Sequence, residues 1–214
     1  SDFSSFTLFP GQHWSHTWER QHELVTRFAK LLEGKVISVC SPLGLINHNP
    51  FSLNFFQKIR TYNKLQVKII NQNPILDNMK MCNLRHIPFH LSMIGKINYA
   101  LMKHGMGMTN NNFFWSTYMN PTIYEFFKRS SFKIYDIAER RSTNPLLNEK
   151  IRAWERKAVR EADLVIVDNH VTMEDYRNLN PRIQYIPQGV NLETFFKSES
   201  STTREYIGYI GNLH

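Results

Sequence analysis

Residues 144–168 read NPLLNEKIRAWERKAVREADLVIVD, and this stretch decides the fold class. Asn144 can cap a helix, and Pro145 suits its first turn, where the N–H that proline lacks would have no intrahelical partner anyway. Leu147, Ile151, Trp154, Ala158 and Ala162 recur at helical spacing, which predicts a helix over 144–162 with one apolar stripe. Asp163 to Val167 follows at once, and its run Leu164-Val165-Ile166-Val167 shows no polar alternation. A strand of that character is buried on both faces, as in a parallel sheet covered by helices.

The same alternation extends outward in both directions. Upstream, Phe132 to Ile137 predicts a strand, Pro121 opens a helix to about Arg129, and Asn112 to Thr117 predicts another strand. Downstream, a helix over 171–179 precedes a strand from Arg182 to Ile186, which Pro187 stops. At the start of the chain, Phe3 to Phe9 predicts a buried strand ending at Pro10-Gly11. Trp18, His22, Val25, Phe28, Ala29 and Leu32 then fall at helical spacing, with Thr17 as N-cap and Gly34 just past the end. Lys35 to Cys40 is the second strand, Leu65 to Ile70 the expected third, and Ser92 to Lys103 a helix with Gly105 near its end. The pattern predicts a Rossmann-like, doubly wound, mainly parallel sheet of about seven strands, with helices on both faces. Residues 42–64 follow neither period.

Composition narrows the class. The 214 residues suffice for one sizeable α/β domain and a fragment of another. No apolar run reaches the roughly 18 residues of a membrane-spanning helix, and the start lacks the basic and apolar regions of a signal peptide. Cys40 and Cys82, with no C-x-x-C partner, read as free thiols rather than metal ligands. The net charge of +8 is uneven: residues 1–110 carry 12 Lys+Arg against 5 Asp+Glu. Within 58–103 stand Lys58, Arg60, Lys64, Lys68, Lys80, Arg85, Lys96 and Lys103 against the single acid Asp77. Such a field attracts anionic lipid, phosphate or nucleic acid. Six of the eight methionines lie within 79–108, so the helix there reads either as packed on the sheet or as lying on an anionic membrane surface.

In open α/β sheets ligands sit beyond the carboxyl ends of the strands, so the strand-end loops are where chemistry belongs. Gly11-Gln12-His13-Trp14 sets a flexible backbone, an imidazole and an indole beside a helix N-terminus, which favours anions. It has one glycine and is no dinucleotide fingerprint; the alternative is a tight turn with Trp14 in the core. Tyr135-Asp136-Ile137-Ala138-Glu139-Arg140-Arg141 puts two carboxylates three residues apart after a buried strand. One of them can serve as general base, and the arginines can bind phosphate or keep that base ionised. The competing reading is a capping Asp136 and a surface Glu139–Arg140 pair. Trp115-Ser116-Thr117-Tyr118 offers aromatic faces for a sugar ring, or core packing. Asp168-Asn169 ends the sixth strand.

Near the end, Ile186-Pro187-Gln188-Gly189-Val190-Asn191 with Phe195 resembles the "I-P-N-G-V-D-x-x-x-F" hinge of GT-B glycosyltransferases, especially family 4. Tyr135-Asp136 with Glu139 resembles the family's "Y-D-x-x-D". Glu155 followed by Ala162-Asp163-Leu164-Val165 resembles its "E-x-x-x-x-x-x-A-D-x-V" stretch. Tyr206-Ile207-Gly208-Tyr209-Ile210-Gly211 resembles the opening of its donor domain. The resemblance implies an N-terminal acceptor-side domain over 1–196, a linker over 197–204, and at 205–214 the start of a truncated nucleotide-sugar domain. It implies a retaining hexosyltransferase of cell-surface polysaccharide synthesis, cytoplasmic and peripheral on the inner face of the membrane. A nucleotide sugar is the implied donor, a glycan or polyprenyl-phosphate-linked hydroxyl the acceptor, with no prosthetic group. Asp136, Glu139 and His13 are the catalytic candidates. Gly11, Gln12, Trp14, Trp115, Tyr118, Arg140 and Asn169 are expected at the substrate, and Gly208 and Gly211 at the donor diphosphate. Without the donor domain's paired glutamates, the fragment alone is expected to be nearly inactive. A non-catalytic module binding phosphorylated glycan or nucleic acid through its basic half is the competing class.

Overall fold

A computed structural model describes residues 3–10, 20–32, 34–40, 75–82, 92–137, 149–187 and 189. The seven described strands form one sheet in the order β3-β2-β1-β4-β5-β6-β7, every neighbouring pair parallel. They are β1 (Ser5–Phe9), β2 (Ile37–Cys40), β3 (Met79–Cys82), β4 (Asn112–Ser116), β5 (Phe132–Ile137), β6 (Leu164–Val167) and β7 (Ile183–Tyr185). The described helices are α1 (Arg20–Leu31), α2 (Ser92–Met102), α3 (Pro121–Phe127), α4 (Glu149–Glu161) and α5 (His170–Tyr176). This is the doubly wound, Rossmann-like architecture that the alternation predicts.

The third strand is Met79–Cys82, in a stretch the sequence reading left unassigned. Leu65 to Ile70, expected in that place, lies outside the described residues, as do the cap Asn144, Pro145 and the final segment 190–214. β3 pairs with β2 from Ile37↔Met79 to Cys40↔Cys82.

Period-two alternation sends side chains to two separate cores. On the first face, Phe6, Leu8, Ile37, Val39, Phe113 and Trp115 pack under Val25 and Ala29 of α1. Phe28 stacks on Phe113 at 5.2 Å, and Phe113 on Phe132 at 5.8 Å, extending that core by ring contacts. On the second face, Phe9, Phe114, Tyr135, Ile137, Val165 and Val167 meet Met102, Ile123, Phe126, Ala158, Val159 and Tyr176 from α2 to α5. Leu164 and Ile166 are only half-buried, because α1 alone of the described helices lies on their face.

Two devices hold the second layer. Asn120 caps α3 by accepting from Ile123 N at 2.9 Å, with Pro121 opening the helix as expected. Gly95 brings α2 so close to α3 that a built Cβ there would lie 2.5 Å from the Pro121 carbonyl oxygen. At the amino end of the sheet, buried Asn112 ties β1 to β4. Its Oδ1 accepts from Ser5 Oγ at 2.7 Å and Thr7 Oγ1 at 3.0 Å, while its Nδ2 donates to Ser130 Oγ at 3.0 Å. Gly34 takes φ +80° after α1, the left-handed conformation its place as a helix terminator requires.

The stripe of α4 is rotated from its expected position. Ala158 and Ala162 are buried as read, but Glu155 rather than Trp154 completes the contact. Trp154 is half-buried against Tyr124, with ring centroids 5.2 Å apart.

Candidate functional site

The chain runs β1, β2, β3 toward one edge of the sheet and then returns to β4 on the other side of β1. The carboxyl ends of β1 and β4 therefore flank the topological switch point, where the connecting loops diverge and leave a crevice. Phe9 closes β1 there, and two bonds tie it to the end of β4. Thr117 N donates to Phe9 O at 3.2 Å, and Ser116 Oγ lies 3.4 Å from that oxygen while donating to Tyr118 O at 2.6 Å. Ser116 thus holds the turn at Tyr118 against the neighbouring strand.

Alternation directs Thr117 to the same face as Trp115, and Asp136 to the same face as Ile134. Ser116 pairs with Tyr135, so Thr117 and Asp136 stand side by side one step further along the two strands. The register thus makes the two residues neighbours at the rim, with no hydrogen bond from Thr117 Oγ1 to the carboxylate. Asp136 is wholly buried with its carboxylate engaged, as a charged group in an apolar setting must be. Thr117 is 4 % exposed, and its Oγ1 has no hydrogen-bond partner. Such an atom calls for a water or a ligand, because leaving it unmatched costs about 1–3 kcal/mol. Gln21, in the first turn of α1 on the sheet-facing stripe with Val25, is buried with Oε1 likewise unpartnered.

Directly below this rim, on the same face, lies a groove of about 240 Å³ lined by Leu8, Leu24, Val25, Phe28, Phe113, Trp115, Ile134 and Ile166. A wholly apolar groove with a few polar atoms at one end suits an amphiphilic ligand or the apolar face of a sugar ring.

The remaining expected site residues separate into four groups. Trp115 is buried and lines the groove, with its indole serving the core. Tyr118 is half-buried against the second core. Asn169 caps α5: its Oδ1 accepts from Thr172 N at 2.7 Å and its amide donates to Asp168 Oδ1 at 2.8 Å. Both ends of that side chain are occupied within the loop. Gly11, Gln12, His13, Trp14, Glu139, Arg140, Gly208 and Gly211 lie outside the described residues.

Sequence reasoning missed Gln21 and passed over Thr117 within its motif. The signal for Gln21 was a polar residue one turn before Val25 on an otherwise apolar helix face. No protein-family model matches the chain, and no curated protein matches it.

Proposed function

We propose that the chain is the acceptor-side half of a family 4-like GT-B glycosyltransferase, moving a sugar from a nucleotide-sugar donor to a hydroxyl of a glycan or lipid-linked acceptor. One observation carries this reading: Thr117 and Asp136 stand together at the carboxyl rim, beside the turning point of the strand order and above an apolar groove. Glycosyl transfer to an alcohol needs the acceptor hydroxyl oriented and its proton managed, and a hydroxyl beside a carboxylate serves both needs. In this reading the nucleotide sugar is held by a second domain that begins at 205–214, with Gly208 and Gly211 against its diphosphate.

The test uses the full-length gene product, radiolabelled nucleotide sugars, and glycan or polyprenyl-phosphate-linked acceptors. Asp136→Asn is expected to lower kcat/KM by about 100-fold in protein that remains folded at the assay temperature, while costing about 1–3 kcal/mol of stability because the carboxylate is buried and engaged. Thr117→Val is expected to raise KM for the acceptor more than it lowers kcat. A protein that transfers no sugar, yet retards oligonucleotides with a steep salt dependence, would replace this reading with the phosphate-binding module.

A lipid-linked acceptor would require the enzyme to work at a bilayer, and α2 supplies a face for that. Met93, Ile97 and Leu101 stand four residues apart on its outer side, exposed to 66, 40 and 65 %. Lys96 and Lys103 flank them, and the helix holds no acid. An apolar stripe edged by cations is the pattern of a helix that lies in the headgroup layer of anionic lipid. No described helix is long and apolar enough to cross a membrane. The protein is expected to sediment with vesicles containing phosphatidylglycerol, less so in high salt. Replacing Met93, Ile97 and Leu101 together by Gln should weaken that partition at least ~10-fold. Equal binding to neutral and anionic vesicles would remove the electrostatic part of the reading.

A further inference from the structure

Cys40 and Cys82 close β2 and β3, and the parallel register sets them opposite each other. Neighbouring strands run about 4.8 Å apart, inside the roughly 4.4–6.8 Å between Cα atoms that a disulfide spans. Both side chains point to the second face and belong to the same buried cluster. Both are free thiols, and Cys82 Sγ donates to Lys80 O at 3.7 Å. Lys80 lies two residues before Cys82 on the same face of β3, its Nζ donating to Gly105 O at 3.0 Å. Among the described residues β3 is the edge strand of the sheet, with 4 % of Cys82 exposed and none of Cys40.

The two thiols are electrostatically unlike. Burial pushes the Cys40 thiol well up, so it keeps its proton. The neighbouring Cys40 thiol, then the Ser38 hydroxyl and last the charge of Lys80, bring Cys82 down to about 7 in spite of its burial. One sulfur is therefore a nucleophile near neutral pH and its neighbour a protonated donor, the division of labour found in reactive dithiols.

We propose that Cys40 and Cys82 are a two-electron redox site, oxidised by hydrogen peroxide to a disulfide that links β2 to β3. The Cys82 thiolate attacks a peroxide oxygen, the O–O bond breaks, and hydroxide leaves and takes up a proton as water. Cys82 is then a sulfenic acid. The Cys40 sulfur attacks the Cys82 sulfur, the S–O bond breaks, and the hydroxyl leaves with the Cys40 proton as a second water. Two thiols and one peroxide become one disulfide and two waters. A peroxide is small enough to reach a sulfur at a strand edge, where transient opening is easiest. The bond ties together the two ends of the connection spanning 41–81, which carries Lys58, Arg60, Lys64, Lys68 and Lys80.

The test treats the protein with hydrogen peroxide, alkylates remaining thiols after unfolding, and maps peptides without reduction. The expected product is a peptide pair joined through Cys40 and Cys82 within one chain, cleaved by dithiothreitol. Cys40→Ser should stop at a sulfenic acid on Cys82 that dimedone traps, and Cys82→Ser should leave Cys40 a thiol. Two thiols still open to alkylation, a link between two chains, or first oxidation at Cys40 would each overturn the proposal. Should either variant fail to fold, the native protein decides alone. Iodoacetamide must label Cys82 at least ~10-fold faster than Cys40, and equal rates would sink the assignment.

Discussion

Glu155→Ala is expected to lower the free energy of unfolding by about 3–5 kcal/mol, a large share of the roughly 5–15 kcal/mol that an ordinary domain has. Glu155 is 2 % exposed in the middle of α4, yet it is no misplaced charge. Its two oxygens accept from different elements: Tyr176 Oη of α5 donates to Oε1, and Tyr135 Oη of β5 donates to Oε2 at 3.3 Å. Truncation removes the shared acceptor of two buried hydroxyls and leaves a void, so the costs add. Glu155→Gln keeps both acceptor positions on a side chain of the same shape only in part, since one oxygen becomes a donor. It should cost about 1–3 kcal/mol, for one hydroxyl left without an acceptor. Urea unfolding followed by fluorescence measures both. An alanine variant within ~0.5 kcal/mol of wild type would mean that the tyrosines find other acceptors.

Gly95→Ala should destabilise by about 2–3 kcal/mol, although alanine is the better helix former by roughly 1 kcal/mol. The reason is contact. The added methyl would fall 2.5 Å from Pro121 O and 2.7 Å from Pro121 C, both backbone atoms at the start of α3. Neither can rotate away. Relief requires α2 to lift from α3, which would break the buried bond from Asn98 Nδ2 to Thr122 Oγ1 at 2.9 Å. Thermal unfolding of Gly95→Ala beside Gly107→Ala separates the two causes of a glycine's cost. Gly107 has φ +64° and open space around it, so its substitution is strained by conformation alone. A gain in stability at position 95 would refute the close approach.

The strand–helix alternation was legible wherever apolar runs and proline placement mark the elements, even where one face of the strand is only half-covered, as at β6. Leu164-Val165-Ile166-Val167, Phe132 to Ile137 and the Pro121 helix start all declare themselves through period, proline placement and apolar runs. β3 did not, because Met-Lys-Met-Cys is four residues long, puts Lys80 toward solvent, and carries none of the β-branched residues by which strands are recognised. Glu155 was seen as part of a motif but not as a core residue, since what buries it is a pair of hydroxyls 20 and 21 residues away in sequence. The same limit applies at the candidate site. That Asp136 stands near the end of a predicted strand can be read from the chain, but that Thr117 is its neighbour depends on the β4–β5 register. The partnerless state of Thr117 Oγ1 depends on everything else packed around it. Periodicity reports one element at a time, whereas a site is a coincidence of several.

The β1–β4 seam has a consequence for biosynthesis. Ser5 and Asn112 bond directly across it though 107 positions separate them. On the ribosome, at about 5–20 residues per second, β1 emerges roughly 5–20 s before the partner that covers its second edge. During that interval the nascent polypeptide displays an aromatic strand, Phe6 and Phe9 included, with one row of amides unclaimed. Slower translation therefore lengthens the interval in which that edge is open to pairing with another chain, and the interval ends when β4 arrives.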